Sequence, residues 1–61
     1  MNKSKQLKER GNDAFKAKKF HEAIDFFTKA IEIEEASPSK DAELLAVLQS
    51  NVAQVYLELK K

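Results

Sequence analysis

Helix-breaking residues are almost absent from this chain of 61 residues, which contains one glycine, Gly11, and one proline, Pro38. Apolar residues recur at steps of three and four, the spacing that places side chains on one face of an α-helix. We therefore expect an all-α fold with helices over residues 4–17, 20–35 and 38–60. Residues 1–61 are expected to form a single small domain, or part of a larger one. Because so short a chain buries little surface, we expect its stability to be modest.

The first two predicted helices share an apolar core. On the first, Leu7, Gly11, Ala14 and Phe15 lie on one face, and Ser4 or Asn2 is the expected N-cap. The second helix carries a wide apolar arc, which includes Phe20, Ala23, Ile24, Phe27, Ala30 and Ile31. An arc of this width predicts that the second helix packs between two neighbours. The connection "AKKF" has neither glycine nor proline, so we expect a short turn without assigning its residues.

The third predicted helix begins at the only proline. Ser37 is the expected N-cap with Pro38 at the first helical position, and Ser39 is the competing N-cap. Seven residues form its main apolar stripe: Leu44, Leu45, Leu48, Val52, Val55, Tyr56 and Leu59. A second stripe has no partner in this sequence: Ala46, Ala53 and Leu57. From the three helices together, the predicted core contains Leu7, Ala14, Phe15, Phe20, Ala23, Phe27, Ala30, Ile31, Leu48, Val52 and Val55.

Composition argues against several classes of function. Eleven basic and ten acidic residues leave a net charge of +1, too little basic excess to favour nucleic acid as the partner. Without cysteine, the chain has no disulfide, thiolate metal site or cysteine nucleophile. His21, the only histidine, lacks the partners of a metal ligand or general base. We expect no enzyme activity, cofactor, metal or membrane span, and a cytoplasmic location. The acidic end of the second helix, Glu32 to Glu35, is expected to be solvated.

A series of large and small apolar residues, three to five positions apart, runs through the first two helices: Leu7, Gly11, Phe15, Phe20, Ala23, Phe27 and Ala30. This series resembles the tetratricopeptide signature, so the two helices resemble one complete repeat, a helix-turn-helix of about 34 residues. The third helix resembles the first helix of a second repeat, with Ala53 in the place of Gly11, although the separation, 53 − 11 = 42 residues, is longer. The resemblance implies an antiparallel hairpin plus a third helix, one and a half repeats of an α-α superhelix. Gly11 is then a contact residue between closely packed helices.

Three polar residues carry the functional prediction: Lys8 and Asn12 in "LKERGN", and Asn51 in "QSNVA". They match positions that, in the chaperone-binding branch of the family, hold the carboxylates of a partner's C-terminal tail, an arrangement called a carboxylate clamp. The resemblance implies that Lys8 supplies charge and that the two asparagine amides donate hydrogen bonds. That branch takes two further basic residues from a third repeat, which this chain does not contain. Val52 also stands where the family often has arginine.

The resemblance implies a protein-interaction module, part of a co-chaperone-type domain that binds acidic C-terminal tails of heat-shock chaperones. An alternative is a microtubule-interacting-and-transport-type three-helix domain, which binds amphipathic helices; the adjacent Gly11 and Asn12 and the short first helix disfavour it. A third interpretation is a self-associating structural fragment, a homodimer paired through the Ala46, Ala53 and Leu57 face.

Overall fold

A computed structural model describes residues 3–38 and 41–60 of the chain. It contains three helices: α1 at Lys3–Lys16, α2 at Phe20–Ala36 and α3 at Ala42–Lys60. The prediction of an all-α fold is confirmed, and the described residues include no strand. Gly11 in the middle of α1 lies against Phe27 in the middle of α2, while Phe15 near the end of α1 meets Phe20 at the start of α2. These pairs show that α1 and α2 run antiparallel.

Helix α2 lies at the centre of the packing, as its wide apolar arc predicted. Helices α1 and α3 both pack mainly against α2 and contact each other little. The buried core contains Ala14, Ala23, Phe27, Ala30, Leu44, Leu48 and Val55. Six of these seven were predicted from the sequence, and Leu44 is the addition. The other predicted core residues are only partly buried against it: Leu7, Phe15, Phe20, Ile31 and Val52.

The apolar stripe of α3 is narrower than the sequence predicted. Tyr56 is 53% exposed and Leu59 is 39% exposed, so neither belongs to the core. The reason is that α3 packs mainly against one neighbour, which covers only the face that carries Leu44, Leu48 and Val55. A residue one position after Val55 points about 100° away around the helix and reaches solvent.

The turn between α1 and α2 is built without glycine. The Lys18 N–H donates to the Phe15 carbonyl at 3.0 Å, and the Lys19 N–H donates to the Ala14 carbonyl at 2.8 Å. This pair of bonds is a Schellman motif, which satisfies the last carbonyls of a helix. Lys18 accordingly has a left-handed backbone, φ 64°, at the position that usually holds glycine. The rings of Phe15 and Phe20 then meet edge to face, with centroids 5.6 Å apart.

The start of α3 corrects the sequence-based prediction. The helix begins at Ala42, and Asp41 is its cap, because the Asp41 carboxylate accepts the Leu44 N–H at 3.1 Å. Ser37 is instead the C-cap of α2, with extended backbone, so Pro38 precedes α3 rather than opening it. The alternative N-cap, Ser39, lies outside the described residues.

The N-cap predicted for α1 changes in a similar way. Ser4 is a buried helical residue within α1 and not its cap. The alternative cap, Asn2, lies outside the described residues.

A buried carboxylate joins α2 to the start of α3. Glu34 is only 5% exposed, although the sequence predicted that the acidic end of α2 is solvated. Its Oε1 accepts the Asp41 N–H at 2.8 Å. Asp41 in turn caps α3 through its own carboxylate. Two successive carboxylates therefore satisfy backbone N–H groups at this junction, and Glu34 is buried because it has this partner.

Candidate peptide-binding site

Asn12 of α1 and Asn51 of α3 line one cleft of about 120 Å³, together with Phe15, Phe27 and Gln54. Glu34 near the end of α2 bonds Asp41 before α3, and Leu59 near the end of α3 lies beside Phe20 at the start of α2, so α2 and α3 are antiparallel too. Helices α1 and α3 therefore run in the same direction. Both asparagines are half-buried, so their side chains line the cleft and are still open to solvent. The structure therefore brings together two of the three residues singled out from the sequence.

The position of the Phe27 ring, which lines the cleft, depends on Gly11. The Phe27 ring is 1% exposed, and a Cβ added to Gly11 would lie 2.5 Å from Phe27 Cε1, 2.7 Å from Cδ1 and 2.8 Å from Cζ. No side chain fits between α1 and this ring without displacing it. This contact agrees with the prediction that Gly11 permits a close helix crossing. The contact also positions the same ring that lines the cleft.

Lys8 lies outside the lining of the cleft. It is half-buried on α1, one helical turn before Asn12 and on the same face of the helix. The residues that line the cleft include no charged side chain. Lys8 can therefore contribute charge at the edge of the cleft, while the interior offers carboxamides and two phenyl rings.

Gln54 is a lining residue that the sequence analysis did not single out. It follows Asn51 by three positions, so both side chains lie on the same face of α3. That spacing was a usable signal once Asn51 had been selected. Gln54 was missed because the family resemblance did not assign a role to its position.

The charge around the cleft is uneven between its two walls. Helix α1 carries five basic residues and two acidic ones in "KSKQLKERGNDAFK". Helix α3 carries Glu43 and Glu58 against Lys60. On the α1 wall, Lys8 lies one turn before Asn12 on the same face, so it supplies a cation at that end of the cleft.

Other kinds of site find no support in the part of the chain that the structure describes. Residues 3–38 and 41–60 contain no cluster of histidine, aspartate or glutamate that would hold a metal ion. Among the described helices, none is both long and apolar enough to cross a membrane.

One curated protein with a similar sequence is the heat shock protein STI1 of Saccharomyces cerevisiae. The two sequences are 45% identical over 56 residues, which cover 92% of this chain and 8% of the relative. The likeness suggests a tetratricopeptide-like domain. No protein-family model and no solved structure matches the chain. Since the chain corresponds to only a small part of that relative, the relative's role as a whole protein does not transfer directly.

Proposed function

We propose that this chain is the peptide-binding part of a cytoplasmic co-chaperone-type domain that binds acidic C-terminal tails of heat-shock chaperones. The observation that carries the proposal is the pairing of Asn12 and Asn51, from different helices, in one cleft. Two asparagines 39 positions apart (51 − 12) meet only because α1 and α3 lie side by side. The similarity to a heat shock protein supports a partner of the chaperone class.

The chemistry of the cleft fits a terminal carboxylate. Each asparagine amide offers two N–H donors, and a carboxylate accepts hydrogen bonds only. Hydrogen bonds to an ionised acceptor are stronger than neutral ones. Lys8, at the edge of the cleft, attracts the tail without a direct contact in the interior. With a single flanking cation, we expect the 61-residue chain to bind in the millimolar range, about −4 kcal/mol.

Titration by NMR tests the proposal. The ligand is an acidic peptide that ends in aspartate with a free terminal carboxylate, and its control is the same peptide with an amidated terminus. We expect shifts at Asn12 and Asn51 with the free carboxylate and much smaller ones with the amide. Asn12→Ala and Lys8→Ala should weaken binding, by about 1.5–3 kcal/mol in a longer protein that contains this segment. Equal binding of both peptides, or unchanged binding by these variants, would contradict the clamp.

A second candidate function is self-association, favoured by apolar residues that α3 leaves exposed. Tyr56 and Leu57 are 53% and 56% exposed, and Ala53 lies one turn before Leu57 on the surface. Two copies that pair these faces around a two-fold axis would bury apolar surface that one chain leaves in water. The chain would then melt at a temperature that rises with its concentration.

The control for this candidate is a charge placed on or off the exposed face. Leu57→Glu should abolish association, whereas Thr28→Glu, on the exposed side of α2, should preserve it. Sedimentation velocity over the high-micromolar range measures the difference. A monomer at every concentration, with a constant melting temperature, would rule out this second candidate.

A further inference from the structure

Gln54 completes a set of three primary carboxamides in the cleft, one from α1 and two from α3. The remaining lining consists of the Phe15 and Phe27 rings. A terminal carboxylate uses only the donor side of a carboxamide, so the acceptor oxygens are left for other groups of the tail, and Gln54 has no role in holding the carboxylate. The main chain of a bound peptide is the part of a ligand that offers both a donor and an acceptor.

The position of Gln54 determines which part of a tail it can reach. Three residues along an α-helix advance about 4.5 Å, and one residue of an extended chain spans about 3.3 Å. If the terminal carboxylate lies between Asn12 and Asn51, Gln54 is therefore level with a peptide unit one or two residues before the terminus. Lys8 lies on the opposite side of the asparagines from Gln54, so a tail whose carboxylate faces Lys8 leaves past Gln54.

We propose that Gln54 is a specificity-determining residue, whose carboxamide hydrogen-bonds the main chain of the tail near its penultimate residue. This inference rests on the proposed function, because it takes the carboxylate position from Asn12 and Asn51. Gln54 accepts the N–H of one peptide unit and donates to a carbonyl of the same extended strand. The site thereby selects a ligand with an extended main chain at this point, in addition to a free carboxylate.

The test combines a side-chain variant with a backbone-modified peptide. Gln54→Met keeps a side chain of similar length and removes both hydrogen-bonding groups. Gln49→Met is the matched control, since Gln49 is an exposed glutamine on the same helix that does not line the cleft. The probes are the acidic C-terminal peptide and an analogue in which an ester replaces the penultimate amide. Because Gln54 is exposed, thermal melts of both variants should match that of the wild type.

We expect Gln54→Met to weaken binding of the all-amide peptide about fivefold to a hundredfold, the range of two net hydrogen bonds. It should weaken binding of the ester analogue less, because that peptide lacks the N–H that Gln54 accepts and only the bond that Gln54 donates to a carbonyl is left to lose. Gln49→Met should bind both peptides as the wild type does.

The outcomes separate this inference from the function on which it rests. If Asn12→Ala and Asn51→Ala weaken binding while Gln54→Met does not, the proposed function stands and the role of Gln54 is overturned. Equal losses for the amide and ester peptides would overturn the main-chain contact. If the wild type binds no peptide with a free carboxylate, the proposed function fails, and the role of Gln54 fails with it.

Discussion

Replacing Gly11 by alanine tests the contact that determines how closely α1 approaches α2. The added methyl group would meet three atoms of the Phe27 ring, the nearest at 2.5 Å. Ordinary van der Waals contact begins near 3.4 Å, so the ring would have to retreat by about 0.9 Å. The ring is 1% exposed and packed among core residues, so it has little free space to enter.

Two opposing terms decide the magnitude. Overpacking a well-packed core costs about 1–3 kcal/mol. Alanine inside a helix is more favourable than glycine by about 1 kcal/mol. We therefore expect Gly11→Ala to destabilise the chain by about 0–2 kcal/mol, which lowers the melting temperature by up to about 16 °C for a domain of this size.

Thermal unfolding followed by circular dichroism at 222 nm measures both terms. Ala53→Gly, at an exposed position of α3, gives the helix-propensity term in this same chain without a core contact. Phe27→Leu removes the ring, and the double variant completes a thermodynamic cycle. Gly11→Ala should be better tolerated in the Phe27→Leu background than in the wild type, where the ring is present. If Gly11→Ala alone raises stability by the full amount that Ala53→Gly loses, the close-contact explanation is wrong.

Three further predictions, each with a control substitution, test the helix ends. Lys18→Gly should stabilise the chain by about 0.5–1 kcal/mol in a thermal melt, because glycine adopts the left-handed φ of 64° without strain. Lys16→Gly, inside α1, should lower stability by a similar amount, and a loss at both positions would contradict the Schellman motif. Asp41→Ala should lower the free energy of unfolding by about 0.5–2 kcal/mol, because it removes the side-chain acceptor of the Leu44 N–H. Asp41→Asn keeps an acceptor and should retain most of this stability. Equal losses for the two variants in urea unfolding would argue against the cap. Glu34→Ala should lower the free energy of unfolding by about 1–3 kcal/mol, because it removes the acceptor of the part-buried Asp41 N–H. Glu34→Gln keeps an acceptor and should lose less. Chemical unfolding of Glu34→Ala at the wild-type midpoint would refute the role of this hydrogen bond.

Periodicity was enough to predict the three-helix fold, because almost every residue that interrupts a helix is missing from the sequence. The helix ends were harder to predict. The αL position at the end of α1 is occupied by Lys18 and not by glycine, so composition offered no signal there. At α3, the serine and proline pair matched a start signal, but Asp41 capped the helix because Glu34 holds its N–H in place. That contact spans seven residues of sequence and is invisible to local propensity.

The candidate site was predictable only in part, for a geometric reason. A family resemblance identified Asn12 and Asn51, and their meeting in one cleft follows from the side-by-side arrangement of α1 and α3. Lys8 does not line the cleft, because its half-buried side chain lies elsewhere on α1. The spacing of residues along the sequence does not specify where a side chain lies. Exposure along α3 likewise depends on the number of neighbours, so the predicted apolar stripe did not indicate that its member Tyr56 is exposed.

Helices α1 and α3 both pack on α2 and contact each other little, so little holds these two outer helices to each other directly. A ligand bound by both Asn12 on α1 and Asn51 on α3 would connect the two outer helices. Helix α3 packs less extensively against α2 than α1 does, so it is the outer helix with the lower cost of local detachment. Part of the free energy of ligand binding would then be used to keep α3 docked. A bound tail should consequently slow amide hydrogen exchange along α3 more than along α1.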